Sequence, residues 1–448
     1  MDGTSTPLVP RAAIENAVEK ARSELRAGQK SRVRVAFEQG AWLSVVHELV
    51  NFHPSVGHPW AVFSDPARAV AIVALGAHRR FLTVTSPELG NEVAAIAELG
   101  VPIQAPRFVG GLPFRPPTGA PADRSTLGDF LSPELLFWRR GEDFGGWVLV
   151  DSATDLDSIV DLAEAVAIRE RSHSALVQEP VAAEPRSAFE QRVSRVRDAI
   201  AAGLFEKVVL ARAVTLDLAS TQAVDSGATL LALRESQPRA VVYGVSNNQG
   251  VAFIGATPEL LVKVDGQRVE TQALAGTRDS TGRGSALIGS EKDRDEQSVV
   301  ARTIAEDLWP LCQTLTVSEP DVLTLRGLEH LTSTVSGRLL RETHVLDIAA
   351  LLHPTPAVGG APRRAAEAWL AETEPLDRGL YAGPFGFVDG AGDGQFNVAI
   401  RSARVEPRRA IAYAGAGIVA GSDPASEWQE TELKLQTILS SLRVVSAP

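Results

Sequence analysis

One cysteine in 448 residues, Cys312 in "WPLCQTL", excludes an internal disulfide and fits a chain that works in a reducing compartment. Its apolar neighbours predict a buried, inert thiol. No run of about 20 apolar residues occurs. The most apolar stretch, "AVAIVALGA" at Ala69 to Ala77, is too short to span a bilayer, and "MDGTSTPLVP" has neither the basic start nor the apolar run of a targeting signal. A soluble, cytoplasmic protein with no membrane partner is expected. Basic residues are in deficit, 44 against 55 acidic, giving a net charge of −11 and a pI near 5.4. That balance argues against nucleic acid as a partner. It also means that a small anionic substrate meets a repulsive mean field and needs local cations, from basic side chains or a metal.

Several motifs are missing as well. There is no HExxH or CxxC pattern for a soft metal site, and no GxxxxGK[ST] loop for nucleotide phosphates. "GAGIVAG" follows a strand pattern, but its spacing is not GxGxxG and "GSDP" separates it from the next helix, so it does not support a dinucleotide site. No internal repeat is visible.

What is present reads as α+β. The length allows two or three units of roughly 150 residues or one large two-layer domain. Short strand-like runs ("VRVAF", "AVFS", "AIVAL", "FLTVT", "GWVLV") and helical patterns such as "ELGNEVAAIAEL" fill the first portion. The connector "RSHSALVQEPVAAEPRS" is the best internal boundary, giving a first portion over 1–180 and a second over 187–445. The second opens with a helix whose capping-box pattern is Ser187…Glu190 and whose buried stripe is Phe189, Val193, Val196 and Ile200. Then come the strand "KVVLARAVTLDL", the pair "VAFIGA" and "LLVKV", a tight turn at Asp265-Gly266 and the returning strand "RVETQAL". Helices over Glu291 to Leu308 and in "RRAAEAWLAE", strands "YAGPFGFV", "QFNVAIRSARV" and "AIAYAGAGIV", and a last helix complete the chain. Long hairpin strands among long helices predict extensive antiparallel sheet.

A few charged residues break the local pattern. Lys207 begins a nearly continuous apolar strand, where it either snorkels to solvent or sits in a dry cleft as a general base. Glu259 in "GATPELLV" is either exposed in a turn after Pro258 or a buried general acid. Glu296 continues the stripe Val300, Ile304, Leu308 and so faces the core, where a carboxylate needs a cation. In "SEWQETELKLQ" the stripe Trp428, Leu435, Ile438 and Leu439 places Glu427, Glu430 and Lys434 along one edge. They form either a solvated edge with one Glu430–Lys434 pair or, with Glu296, an all-oxygen site suited to Mg²⁺. His330 and His353, taken singly, read as core or loop residues. "PAVGGAP" is equally an anion-binding turn or a plain start to a helix.

The ordered set "FEKVVLAR", "GATPELL", "ALAGTR", "EKDRDEQ", "LEHLTS", "LHPTPAVGG", "YAGPFGFV", "AIRSA" and "GAGIVAGSDPASEWQETELK" resembles the chorismate-utilising enzymes, most of all the isochorismate synthases. It spans roughly residues 187 to 440. The resemblance implies a single large domain, an α/β sandwich of antiparallel sheets surrounded by helices, with the first portion packed into the same domain. It implies a Mg²⁺-dependent, reversible hydration of chorismate at C2 with loss of the C4 hydroxyl. By the same resemblance Lys207 activates water, Glu259 protonates the leaving group, Glu296 and Glu430 hold the metal, and Glu427 lies beside it. Arg401 and Tyr381 hold the enolpyruvyl carboxylate, while Gly276, Thr277, His330, Ala357, Gly415 and Lys434 line the pocket. Branches of the family that use ammonia carry glutamine where Lys207 stands, the aminodeoxychorismate branch has a lysine where Ala275 stands, and salicylate synthases typically have threonine where Ala357 stands. Those three positions imply water as nucleophile, no glutaminase subunit, and isochorismate as the end product for menaquinone or siderophore synthesis. A salicylate synthase, or a non-catalytic chorismate-binding protein, is the alternative. Gln297 departs from the histidine of many relatives, with a small effect expected.

Overall fold

The computed structural model describes residues 11–26, 31–37, 58–81, 85–115, 130–164, 174–175, 181–247, 249–279, 289–325 and 328–446. Among these, thirteen strands form one sheet, ten form a second and three a small third. The larger sheet runs from Val181–Ala182 through Lys207–Asp217, Arg409–Ile418, Ser402–Glu406, Ala252–Thr257 and Val241–Ser246 to strands of the first portion, beginning with Trp60–Asp65. The second likewise joins Leu260–Asp265, Gly394–Val398 and Pro384–Asp389 to Pro106–Gly111. Each sheet therefore takes strands from both portions, and the two portions share one core. The fold is a single mixed α+β domain with mostly antiparallel pairing, as expected.

The two sheets pack face to face. Phe63, Tyr243 and Phe253 of the first meet Phe385, Phe387 and Val262 of the second, with Phe63 edge-on to Phe387 at 5.4 Å. Helices cover the outer face of the larger sheet: Ile14, Val18, Leu233, Leu435 and Ile438 on one stretch, Phe189, Val193, Val196 and Leu370 on another. Period-2 alternation decides which side chain goes where. Along Lys207–Asp217, Val208 and Leu210 face the helices, while Ala211 and Ala213 face the other sheet. No helix among the described residues is long and apolar enough to cross a membrane.

Four local expectations are corrected. The helix Arg186–Ala201 has Pro185 at its N-cap with no side-chain cap, so Ser187 lies inside it and Glu190 pairs with Arg186 at 2.7 Å instead. "VAFIGA" and "LLVKV" do not pair with one another: the first joins the larger sheet and the second the smaller, because Pro258 breaks the strand between them. Cys312 is half-buried rather than buried, since it opens an exposed edge strand, Cys312–Val317. In the last helix, Pro424–Leu439, the fully buried face is Glu427, Thr431, Leu435 and Ile438. Glu427 is thus at its centre and Trp428 beside it, half-buried under the Arg212 guanidinium at 3.8 Å. The turn at Asp265-Gly266 is as expected, with Asp265 opposite Arg268 and Gly266 at φ +57°.

Candidate active site

A cleft opens where strands leave one sheet for the other. The chain crosses from Ala252–Thr257 to Leu260–Asp265 through Pro258 and Glu259, and returns from Gly394–Val398 to Ser402–Glu406 through Arg401. Such corners take residues out of the ladder and turn their side chains inward. The Glu259 backbone is pinned there: its carbonyl accepts from Val398 N and Asn397 Nδ2, both at 3.0 Å, and its N–H donates to Thr257 Oγ1 at 3.2 Å. Only 3% of Glu259 is exposed, so the exposed-turn reading is excluded. Burial pushes its carboxyl up to about 7, against the pull of Lys207, Arg401 and Lys434.

Lys207 has the strand parity of Val209 and Ala211, so it points between the sheets and is 0% exposed. The snorkelling alternative fails. Its Nζ lies 2.9 Å from Glu296 Oε1, and that ion pair is not aligned as a hydrogen bond, leaving a buried ammonium with unfilled donors. Across the strand pair, Val209 opposes Gly417 and Ala211 opposes Gly415. A Cβ at 417 would collide with Glu296 Oε1 and come within 2.8 Å of Lys207 Cε. Of the alternating glycines of "GAGIV", Gly417 clears the wall behind the ion pair and Gly415 leaves room for Tyr381 Oη, 3.0 Å from a Cβ placed there. On Glu291–Leu308, Val300, Ile304 and Leu308 are buried, and Glu296 continues that face into the cleft. Gln297 is 2% exposed and donates to Ser333 Oγ at 2.8 Å, tying this helix to the strand Leu328–Leu339.

The other walls are equally local in origin. The strand Arg268–Asp279 bulges between Ala275 and Thr277, with Gly276 at φ +72°. Thr277 faces His330 in that register, and its side chain lies outside the described residues. His330 hydrogen-bonds the Gly276 backbone, and Arg401 Nη2 stands 3.1 Å from His330 Nε2. Burial and the adjacent Arg401 hold His330 well below the usual histidine range, so its neutral ring accepts from the guanidinium. Arg401 has φ +54°, a conformation costing on the order of 1–3 kcal/mol for a residue with a side chain. Tyr381 stacks on Tyr413 at 5.2 Å, its phenol pushed up to about 12 by burial and therefore neutral. Lys434 Nζ donates to the Gly415 carbonyl at 2.9 Å and meets Glu430 Oε1 at 2.5 Å. Behind the wall, Arg378 donates to the carbonyls of Val358 and Val209, both at 2.8 Å.

The structure gathers Glu259, Gly276, Glu296, His330, Ala357, Tyr381, Arg401, Gly415 and Lys434 around one cleft, with Lys207 reaching it through Glu296. Glu430 joins through Lys434, whereas Glu427 is buried on the inner face of the helix and does not line the cleft. His353 lies elsewhere, edge-on to Phe114 at 5.5 Å, and "PAVGGAP" adds Gly360–Ala361 as a short strand beside Lys207 and Val208. Val209, Leu274, Val358, Ile400, Tyr413 and Gly417 also line the cleft. Val209, Tyr413 and Gly417 were open to prediction, since each lies two residues from a named one on the same strand.

Among the described residues no three acidic, histidine or cysteine side chains converge into a ready metal cluster. The donor chemistry nevertheless fits a hard divalent cation. Glu296 and Glu430 are oxygen donors, partly buried, and each already faces positive charge, from Lys207 and Lys434.

Comparison with known proteins follows the same lines. The sequence profile of a family described as chorismate binding enzyme matches residues 45–443. The isochorismate synthase EntC of Escherichia coli is 37% identical over 281 residues, 60% of this chain and 71% of that one. The salicylate biosynthesis isochorismate synthase of Pseudomonas aeruginosa is 32% identical over 361 residues, 76% of this chain and 75% of that one. Among solved structures, the menaquinone-specific isochorismate synthase MenF of Escherichia coli superposes with a TM-score of 0.76 at 26% identity, covering 95% of this chain and 100% of that one.

Proposed function

The chain belongs to the chorismate-binding enzyme family, and from its site we infer an isochorismate synthase, an isomerase that interconverts chorismate and isochorismate. One relationship carries the reading. A buried carboxyl pushed up to about 7 faces a cleft that also holds Arg401 and Lys434, and a buried lysine reaches that cleft through Glu296. These are a base, an acid, and the cations that a dianionic substrate needs in a chain of net charge −11.

The steps follow from those positions. Arg401 takes a carboxylate of the substrate, and neutral Tyr381 offers its hydroxyl beside it. Lys207, once the ammonium that pairs with Glu296 has given up a proton to solvent, accepts a proton from water as the oxygen bonds to C2. The ring double bonds shift, the C4–O bond breaks, and Glu259 gives its proton to the departing oxygen, which leaves as water. Each group ends in the state its partner began in, so the reverse reaction needs no new residue. Glu296 and Glu430 would hold Mg²⁺, with Glu427 behind them, and the ion would neutralise the ring carboxylate. Ala357 leaves the wall small, which favours isochorismate as the final product. The protein acts alone on this small molecule, in a reducing cytoplasm suited to its one thiol, and supplies menaquinone or siderophore synthesis. Incubation with chorismate and Mg²⁺, followed by chromatography, tests the reading: isochorismate should appear and approach equilibrium from either side. Unchanged chorismate would overturn it.

A further inference from the structure

Tyrosine is scarce here, and all three tyrosines surround the cleft. Tyr381 and Tyr413 line it. Tyr243 does not: it is 0% exposed on the strand Val241–Ser246, and its hydroxyl donates to the Ile400 carbonyl at 2.9 Å. To get there the ring passes over a neighbouring strand. Tyr243 pairs in register with Gly255, and Gly255 with Ser402. A Cβ at 255 would lie 2.5 Å from Tyr243 Oη and 2.7 Å from Cζ, so the ring occupies the space that this glycine leaves empty. A glycine inside a strand marks a close approach, and the approach is that of Tyr243. Phe385, at 4.8 Å between ring centroids, packs against the same ring.

The carbonyl so held belongs to the residue before Arg401, at φ +54°. That backbone conformation persists only where its surroundings enforce it. On its far side the Arg401 carbonyl accepts from Ala256 N at 3.3 Å. Burial keeps the Tyr243 phenol protonated, so it stays a donor.

We propose that Tyr243 is a positioning residue: its hydroxyl, lying over Gly255, fixes the Ile400 carbonyl and with it the left-handed Arg401 backbone that aims the guanidinium into the cleft. This rests on Arg401 holding a substrate carboxylate. A misaimed guanidinium weakens binding more than turnover, which a merely structural role would not do.

The test compares KM, kcat and the calorimetric chorismate Kd in Tyr243→Phe, in Gly255→Ala, which displaces the ring but keeps the hydroxyl, and in both changes on an Arg401→Ala background. Tyr243→Phe should raise KM and Kd about tenfold with kcat within about threefold of the parent. Gly255→Ala should match it, and also serves if Tyr243→Phe folds poorly. Neither change should alter Kd further once Arg401 is alanine. Unchanged Kd in both single variants, or an undiminished effect without Arg401, would overturn the proposal while leaving the activity assigned. An inactive parent enzyme would instead sink the activity, and with it the role given to Arg401.

Discussion

Lys207 and Gly417 sit on adjacent strands so that the lysine crosses the bare backbone of the glycine to reach Glu296, 2.9 Å from its Nζ. The placement of this buried lysine thus depends on a side chain that is absent. A methyl at 417 has no room unless Lys207 or Glu296 moves. Gly417→Ala should lower kcat at least tenfold with a smaller change in KM, because an ångström of displacement at the base matters more to the reaction than to binding. Steady-state kinetics beside a thermal melt would check it, and a normal kcat would show that the pair has slack.

Lys207→Gln keeps a hydrogen-bond donor next to Glu296 but removes the base. Chorismate binding and the melting temperature should stay close to the parent, while isochorismate formation falls on the order of 10²–10⁴-fold. A variant with half the parent rate would take Lys207 out of the chemistry.

Glu259 links activity to pH and stability. Its folded pKa, about 7, lies above the ordinary 4.5, so between those values the folded state holds a proton that the unfolded state has lost. Stability from this group is intact below about pH 4.5 and declines as pH rises to 7, a loss on the order of 3 kcal/mol. Glu259→Gln should therefore melt higher than the parent at pH 8 and about equally at pH 4.5, while losing most of its activity. In the parent, the forward rate should fall above pH 7 as the acid ionises. If the two proteins lost stability in parallel from pH 5 to 8, the buried-acid assignment would be wrong.

Part of this was legible in the sequence. Glu296 could be oriented by its helical stripe, which local periodicity fixes, whereas Lys207 opens a strand apolar on both faces and is left open between solvent and cleft. Glu259 and Arg401 could not be oriented, because their placement depends on which sheet each flanking strand joins, and short apolar runs carry no mark of that choice. The sequence stripe puts Glu427 at the helix edge because it counts Trp428 and Leu439 with Leu435 and Ile438 in the buried face. Arg212 and Phe189 instead cover that indole at the margin, and the face turns toward Thr431. Ser187 is not the cap for a simpler reason: Pro185, with φ −63°, already sets the helix start two residues earlier.

The metal prediction separates two carboxylates from a bystander. Glu430→Gln should raise the Mg²⁺ concentration for half-maximal rate by tenfold or more, as should Glu296→Gln, since a hard ion depends on carboxylate charge. Glu306→Gln, on an exposed side chain of the Glu296 helix, changes the net charge equally and should leave the titration alone. Identical Mg²⁺ titrations for Glu430→Gln and Glu306→Gln would remove Glu430 from the metal site.

Position 357 is expected to set what the enzyme releases. Loss of pyruvate from isochorismate requires hydrogen to pass from C2 to the enolpyruvyl methylene, so a lyase must hold the side chain folded over the ring. Ala357 and Val358 line the cleft, and Arg378 anchors the Val358 carbonyl, so this wall is fixed but small at residue 357. Room without restraint should let the extended conformer prevail. Isochorismate should accumulate from chorismate and Mg²⁺ with little pyruvate, and added ammonia should give no anthranilate. Ala357→Thr narrows the wall and should raise the pyruvate fraction several-fold without raising total turnover. Early time courses read by chromatography decide it: stoichiometric salicylate and pyruvate from the parent enzyme would mean that the wall at 357 does not set the product.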